Sequence, residues 1–503
     1  MTDFQRLKIH TLIIGSGFAG RTVADHLPEG SYLILERGED RSHGDTIRRY
    51  LEGRKKGLDL NRAEEYSFQS KLPFNEFRKL SKYNYSRFAM VRGGASNWWG
   101  GKASRFSDEV FASTEGLPWA MTAEEMAPWY AKAERRLNIA GDPLLADAPA
   151  PTAIDGAAAW REAFAPHLSP SNIYNVAINK SVSPQTATGQ GFCTGRGHCA
   201  MCEEDSKARP DNIFREHNTL YQAFVHEIEF DGDRAVAAQV FDGRQLFIVE
   251  FERIVIAANG VETPRLLARS QLPAGVNRGA LGHFCQDHAH LEFECWIPKP
   301  LPYGALGGLS HVQVLELSKM YPTRFGGIET SALAITHEPG YDAWVRAARP
   351  GVLSESGIDA FRRDLQGTFT IFIELETVMQ INARVDLHAE VALIHDEGYA
   401  ELIPEFDRIA NDMIETLTKQ GVKVLRTVPY YQTGYGGHHF TGTTNWSRGA
   451  HNMLEDDGRL GGTDNVYVAG CSVIPRAGGV APTLTLVALA ERLGERLGSD
   501  MKA

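Results

Sequence analysis

Near its start the chain carries an apolar run, HTLIIG, then a glycine-spaced turn, SGFAG, then RTVADHL with helical spacing, then a second aliphatic run, SYLILERG. Strand periodicity that gives way to helical periodicity and back predicts strand, turn, helix and strand, a βαβ unit. The charged and aromatic stretch from Arg41 to Tyr85 predicts a surface excursion of helices and loops. Further on, TAEEMAPWYAKAERRLNI places acidic residues early and basic ones late, which suits the helix dipole and predicts an amphipathic helix. Between Leu220 and Gly260 the alternation is that of strands, with Asp231-Gly232 and Asp242-Gly243 at hairpin turns, and predicts a β-meander. Strand-like runs return in GTFTIFIELETVMQ and ARVDLHAEVALI, and IPEFDRIANDMIETLTKQG predicts a helix.

Length changes this picture from one core to two lobes, because 503 residues exceed what a single simple core accommodates. The formal net charge of −11 argues against nucleic acid as a partner, since a phosphate-tracking surface needs a basic face. No stretch approaches the roughly 20 apolar residues of a transmembrane helix. The start, MTDFQRLKIHTLIIG, lacks the order of a signal peptide, and the expected localisation is cytoplasmic, with export on a partner subunit left open.

Gly15, Gly17 and Gly20 form G-x-G-x-x-G between a strand and a helix, and Glu36 closes the next strand 21 residues after Gly15. The first glycine permits the tight turn, the second lets backbone N–H groups approach a pyrophosphate, the third allows close packing of helix on sheet, and the acid takes ribose hydroxyls. The fingerprint alone does not separate NAD from FAD.

With three further segments in the same order, the chain resembles the glucose-methanol-choline (GMC) oxidoreductases, and among them the bacterial FAD-dependent sugar dehydrogenases and oxidases. GGASNWWGG, Gly93 to Gly101, is similar to the family's loop beside the flavin ring. VIAANGVETPRLLARS, Val255 to Ser270, is similar to its strand and turn before a helix, with Thr263-Pro264 expected at the helix start, where proline is tolerated. HHFTGT, His438 to Thr443, followed by NVYVAGCSVIPRAGGVAPTLTLVALAERLGERL, is similar to its C-terminal signature.

The resemblance implies an α/β protein with a Rossmann-like FAD-binding domain and a second, β-sheet-based substrate domain. The expected boundaries are 1–160 with 215–290 and 430–503 for the FAD domain, 161–214 for a cysteine-containing insertion, and 291–429 for the substrate domain. It further implies FAD contacts from Gly93, Gly94, Ser96, Asn97, Gly470, Pro482 and Thr483, and a catalytic base at His439, the histidine that stands three residues before Gly442. The expected reaction is oxidation of an alcohol, foremost a sugar or glycoside hydroxyl, by hydride transfer to flavin N5. An FAD-containing lyase and a non-catalytic flavoprotein subunit of a larger complex are the alternatives.

Two positions depart from the family's pattern. Where it carries a second catalytic His or Asn this chain has Ala481, and His438, Asn445 and His451 are the neighbours in sequence able to take that place. Trp98 stands where tethered relatives have a histidine, so FAD is expected to bind non-covalently. Cys193, Cys199 and Cys202, with His198 among them, are close enough to share a metal. Some bacterial sugar dehydrogenases of the family have a three-cysteine iron-sulfur cluster in such a stretch; zinc and an unmetallated loop are the other readings. Cys285, Cys295 and Cys471 read as buried small hydrophobes. The expected partners are a small-molecule alcohol and a small subunit or electron carrier.

Overall fold

The computed structural model describes residues 6–58, 63, 66–67, 77–79, 85–87, 89–140, 170–172, 176–177, 201–202, 205, 207–298, 312–314, 329–332, 368–389, 392–432, 434 and 438–501. Its first unit is β1 (Arg6–Ile14), α1 (Phe18–Asp25) and β2 (Tyr32–Leu35), with β1 and β2 parallel. Leu12 and Ile14 enter one core and Ile13 a second on the opposite face, so this end of β1 is apolar at every position. At zero exposure Leu12 and Ile13 each contribute about 1.5–3 kcal/mol of burial.

The sheet around β1 runs Thr219–Leu220, β2, β1, Leu246–Ile256, Arg234–Phe241, Phe224–Asp231, with Val466–Val468 also paired to Leu246–Ile256. The last three strands of the path form the antiparallel meander, turning at Gly232 and Gly243. Helices stack in sequence beyond α1. The C-terminal helix Thr483–Asp500 packs on it and on Ala123–Leu137, whose start is closed by a capping box between Thr122 and Glu125.

A second sheet, antiparallel throughout, runs Lys423–Val428, Ala289–Trp296, Thr368–Leu375, Glu329–Ala332, Val312–Val314, Pro170–Asn172. Leu291, Phe293 and Cys295, with Ile371, Ile373 and Leu375, are buried on one face. His290, Phe372 and Glu374 share the other. Among the described residues, the segment ARVDLHAEVALI and the residue after it carry the two-residue strands Arg384–Val385 and Ile394–His395.

Both proline-marked helices begin earlier than the sequence suggests. One spans Asn259–Arg269 with Pro264 inside it, and the other Tyr399–Lys419 with Pro404 inside it. Proline removes one helical hydrogen bond, so the carbonyl four residues back must find another donor. For Pro264 that carbonyl belongs to Gly260, and it accepts from the Thr443 hydroxyl at 2.6 Å.

Candidate active site

A cavity of about 500 Å³ extends from the glycine turn after β1 to His439, and its wall includes Phe372 and Glu374 of the second sheet. Gly15, at φ +103°, brings its Cα so close to Ala257 O that a Cβ there would lie 2.4 Å away, and at Gly20 a Cβ would lie 2.0 Å from Gly15 O. The turn is therefore flush against the strand end, and Gly17 stands at the N-cap of α1 with no side-chain cap and no acid in the helix's first turn. Glu36 Oε2 accepts from Ser16 N at 3.0 Å and from Ser16 Oγ at 2.5 Å, and Oε1 from Gly38 N at 2.8 Å. Ser96 Oγ accepts from Phe18 N at 3.0 Å, and Gly93 N donates to Ser16 Oγ at 2.9 Å, so the second glycine-rich loop is tied to the first.

Of the residues singled out from sequence, Gly15, Gly17, Glu36, Gly94, Ser96, Gly470, Pro482, Thr483 and His439 line this one cavity. Gly20, Gly93 and Asn97 stand behind its wall; Asn97 Nδ2 donates to Arg92 O and holds the loop's shape. Buried Lys207 donates to Asn97 O at 3.0 Å and Trp99 O at 2.6 Å, bracing the loop from outside.

At the far end the H-x-x-G-T segment is held by packing as much as by hydrogen bonds. Gly442 has φ +87°, and a Cβ would meet Phe284 O at 2.2 Å. Asp287 accepts three backbone N–H groups, from His288 at 2.8 Å, His439 at 2.7 Å and His438 at 3.0 Å. His439 Nδ1 lies 2.9 Å from His288 Nδ1, and His288 Nε2 lies 2.7 Å from Gly478 O. Burial, with His288, His290, His438 and Lys102 around it, holds His439 well below the usual histidine range, so its ring is neutral at neutral pH.

The neighbouring His438 is exposed, has φ +57°, and stacks on Trp98 with ring centroids 5.4 Å apart. It lines the cavity, as does Ala481. The other two residues considered for the second catalytic place are engaged elsewhere: Asn445 bonds Gly442 O and Ser447 Oγ, and His451 packs on Phe284. Asp287, His288 and His439 lie within 4.8 Å of one another, the donor set of a metal site, yet each is already used by the bonds above.

Four residues were not foreseen from sequence: Asp287, His288, Lys102 and Glu374. Their one signal was polar side chains in apolar surroundings, QDHAHLEFEC above all. Cys471 lines the cavity instead of being core, with its thiol pushed up to about 12 by burial; Cys285 and Cys295 are buried as expected. Cys202 is buried, while Cys193, Cys199 and His198 lie outside the described residues.

Residues 382–490 match the GMC oxidoreductase family profile. The chain is 22% identical to the fructose dehydrogenase large subunit of Gluconobacter japonicus over 99% of each chain. It is 23% identical to the 6'''-hydroxyparomomycin C oxidase of Streptomyces lividus, over 98% of this chain and 91% of that one. Its C-terminal part, residues 382–490, is a GMC oxidoreductase domain. A formate oxidase from Aspergillus oryzae shares its fold, with a TM-score of 0.65 at 14% identity over 99% of both chains.

With that domain and these relatives, the chain is an FAD-dependent enzyme acting on CH–OH donors. Its residues fit that cofactor. The cradle at Gly15 and Gly17 excludes side chains, the uncapped start of α1 offers N–H groups to a diphosphate, and the Thr483–Asp500 helix points its positive end into the cavity beside His439. Among the described residues no helix is long and apolar enough to cross a membrane.

Proposed function

We propose that this protein oxidises a hydroxyl of a sugar or sugar-like molecule to a carbonyl, with His439 as the base. The observation that carries the reading is a histidine, held by Asp287 and His288, in the same cavity as the dinucleotide turn. Bound FAD supplies the hydride acceptor. His439 takes the hydroxyl proton, and Trp98 and Phe372 offer apolar faces to the substrate. The sugar class is supported by the two relatives named for fructose and for an aminoglycoside. Trp98 in the flavin-side loop supports non-covalent FAD.

The test is an anaerobic screen of sugars, polyols and aryl alcohols for bleaching of the flavin, followed by His439→Ala with the alcohol that bleaches it. Base loss slows flavin reduction by about 10² to 10⁴ while FAD stays bound. Reduction at the wild-type rate removes His439 from the base role, and failure of every alcohol favours the lyase or the non-catalytic subunit.

The finer reading is that Cys193, Cys199 and Cys202 hold an iron-sulfur cluster and that a small subunit or electron carrier takes the electrons. Three thiols within ten residues and a relative named as a large subunit support it. Anaerobically purified protein that contains FAD but neither iron nor acid-labile sulfide would contradict it.

A further inference from the structure

Resting on the reading of His439 as the base, we infer that His288 is a positioning residue that keeps the proton of His439 on Nδ1, so that Nε2 is the atom that receives the substrate proton. The argument is one of donors and acceptors. Gly478 O, 2.7 Å from His288 Nε2, is a carbonyl and can only accept, so His288 Nε2 carries a hydrogen. In a neutral ring the other nitrogen then has a lone pair. That nitrogen, Nδ1, lies 2.9 Å from His439 Nδ1, where two lone pairs cannot face one another, so His439 Nδ1 carries the hydrogen between them. His439 is itself neutral, which leaves its Nε2 unprotonated.

The surroundings fix both ends of this chain. His288 is fully buried, and its two ring nitrogens face Gly478 O and His439 Nδ1. Glu374 Oε2 is 3.7 Å from His288 Nδ1, beyond hydrogen-bond reach, so the partner of Nδ1 is His439. Gly478 N donates to Glu376 Oε1 at 3.0 Å, and Arg476 Nε donates to the same oxygen at 3.0 Å, which holds the accepting carbonyl in place. Asp287 holds the backbone of His439 from the other side. As the substrate O–H bond breaks and the Nε2–H bond forms, the His439 cation keeps an acceptor for its Nδ1–H in the lone pair of His288. A base without that acceptor has two tautomers of similar energy, one with Nε2 already protonated and inert.

The test uses FAD-loaded protein with ¹⁵N-labelled histidine, the His439 signals being assigned by their loss in His439→Gln. The expected spectrum shows His439 protonated at Nδ1 and bare at Nε2; a His439 protonated at Nε2, or a doubly protonated His288, overturns the inference without any turnover measurement. His288→Gln places an amide oxygen near Nδ1 and an N–H near Nε2, and retains the tautomer. His288→Leu removes the acceptor, mixes the tautomers, and lowers kcat for the flavin-bleaching alcohol by about 10- to 100-fold with KM little changed. Equal kcat in the Leu and Gln variants overturns the positioning role. An Nδ1-protonated His439 together with wild-type reduction in His439→Ala keeps the tautomer assignment and removes the base reading instead.

Discussion

The two ends of the cavity are built in opposite ways. At the nucleotide end, Gly15 to Gly20 and Glu36 supply backbone N–H groups and one carboxylate from a single βαβ unit. At the histidine end, His439 is positioned by Asp287 and His288, they by Gly478, and Gly478 by Glu376 and Arg476. These residues come from four separate stretches of the chain. Gripping a diphosphate requires only a turn without side chains in front of a helix, which local sequence can encode. Placing a proton acceptor requires one ring in one orientation with its second nitrogen committed, and that demands partners from elsewhere in the fold.

Gly15→Val is the sharpest break at the first end. The residue sits at φ +103° with Ala257 O only 2.4 Å from the added Cβ, and Ala257 N–H donates to Ile14 O, so the strand end cannot withdraw. The left-handed backbone alone costs roughly 1–2 kcal/mol in addition to the clash. The expected outcome is protein without its flavin absorbance. A variant retaining stoichiometric FAD would show that the turn is not where the diphosphate lies.

Arg476→Met tests the second end through stability. Arg476 and Glu376 are both 1% exposed and face one another through two nitrogen–oxygen pairs. Removing the guanidinium leaves a buried carboxylate with no counter-charge, at about 3–5 kcal/mol. The double variant Arg476→Met, Glu376→Leu recovers most of this, because an apolar pair replaces an ionic one. Urea unfolding of the FAD-bound protein reads both, and a loss in the double variant as large as in the single one contradicts the account.

What was legible in the sequence follows the same division. The βαβ unit, the glycine turn and the meander depend on neighbours along the chain, and the structure has them where the periodicity put them. Family resemblance extended this to His439 and the Pro482-Thr483 helix start, which the structure brings to one cavity. Asp287 and His288 stayed hidden because their roles exist only once the loop at Gly478 closes over them. The same limit produced the misplaced start of the Asn259–Arg269 helix: Pro264 reads as a boundary until a distant donor, Thr443, satisfies the carbonyl it orphans.

That donor gives the smallest expected effect and a marker for where chemistry ends and scaffold begins. Thr443 is the last residue of H-x-x-G-T, is fully buried, and donates to Gly260 O, the carbonyl that Pro264 leaves without its helical partner. Thr443→Val keeps the shape and removes the hydroxyl, so the expected loss is about 1–3 kcal/mol, the cost of one buried unsatisfied carbonyl. Thr443→Ser keeps the donor and loses a methyl group, with a smaller loss of about 0.5–1.5 kcal/mol. Pro264→Ala introduced into Thr443→Val supplies a backbone N–H to the same carbonyl and restores stability, although alone it gains little because Thr443 already serves that oxygen. Neither change touches the rings of His439 or His288, so flavin reduction in the folded variants stays at the wild-type rate. If Thr443→Val is as stable as wild type, Gly260 O has another donor and the explanation of the proline inside this helix fails; if it slows reduction while stability holds, the threonine belongs to the chemistry.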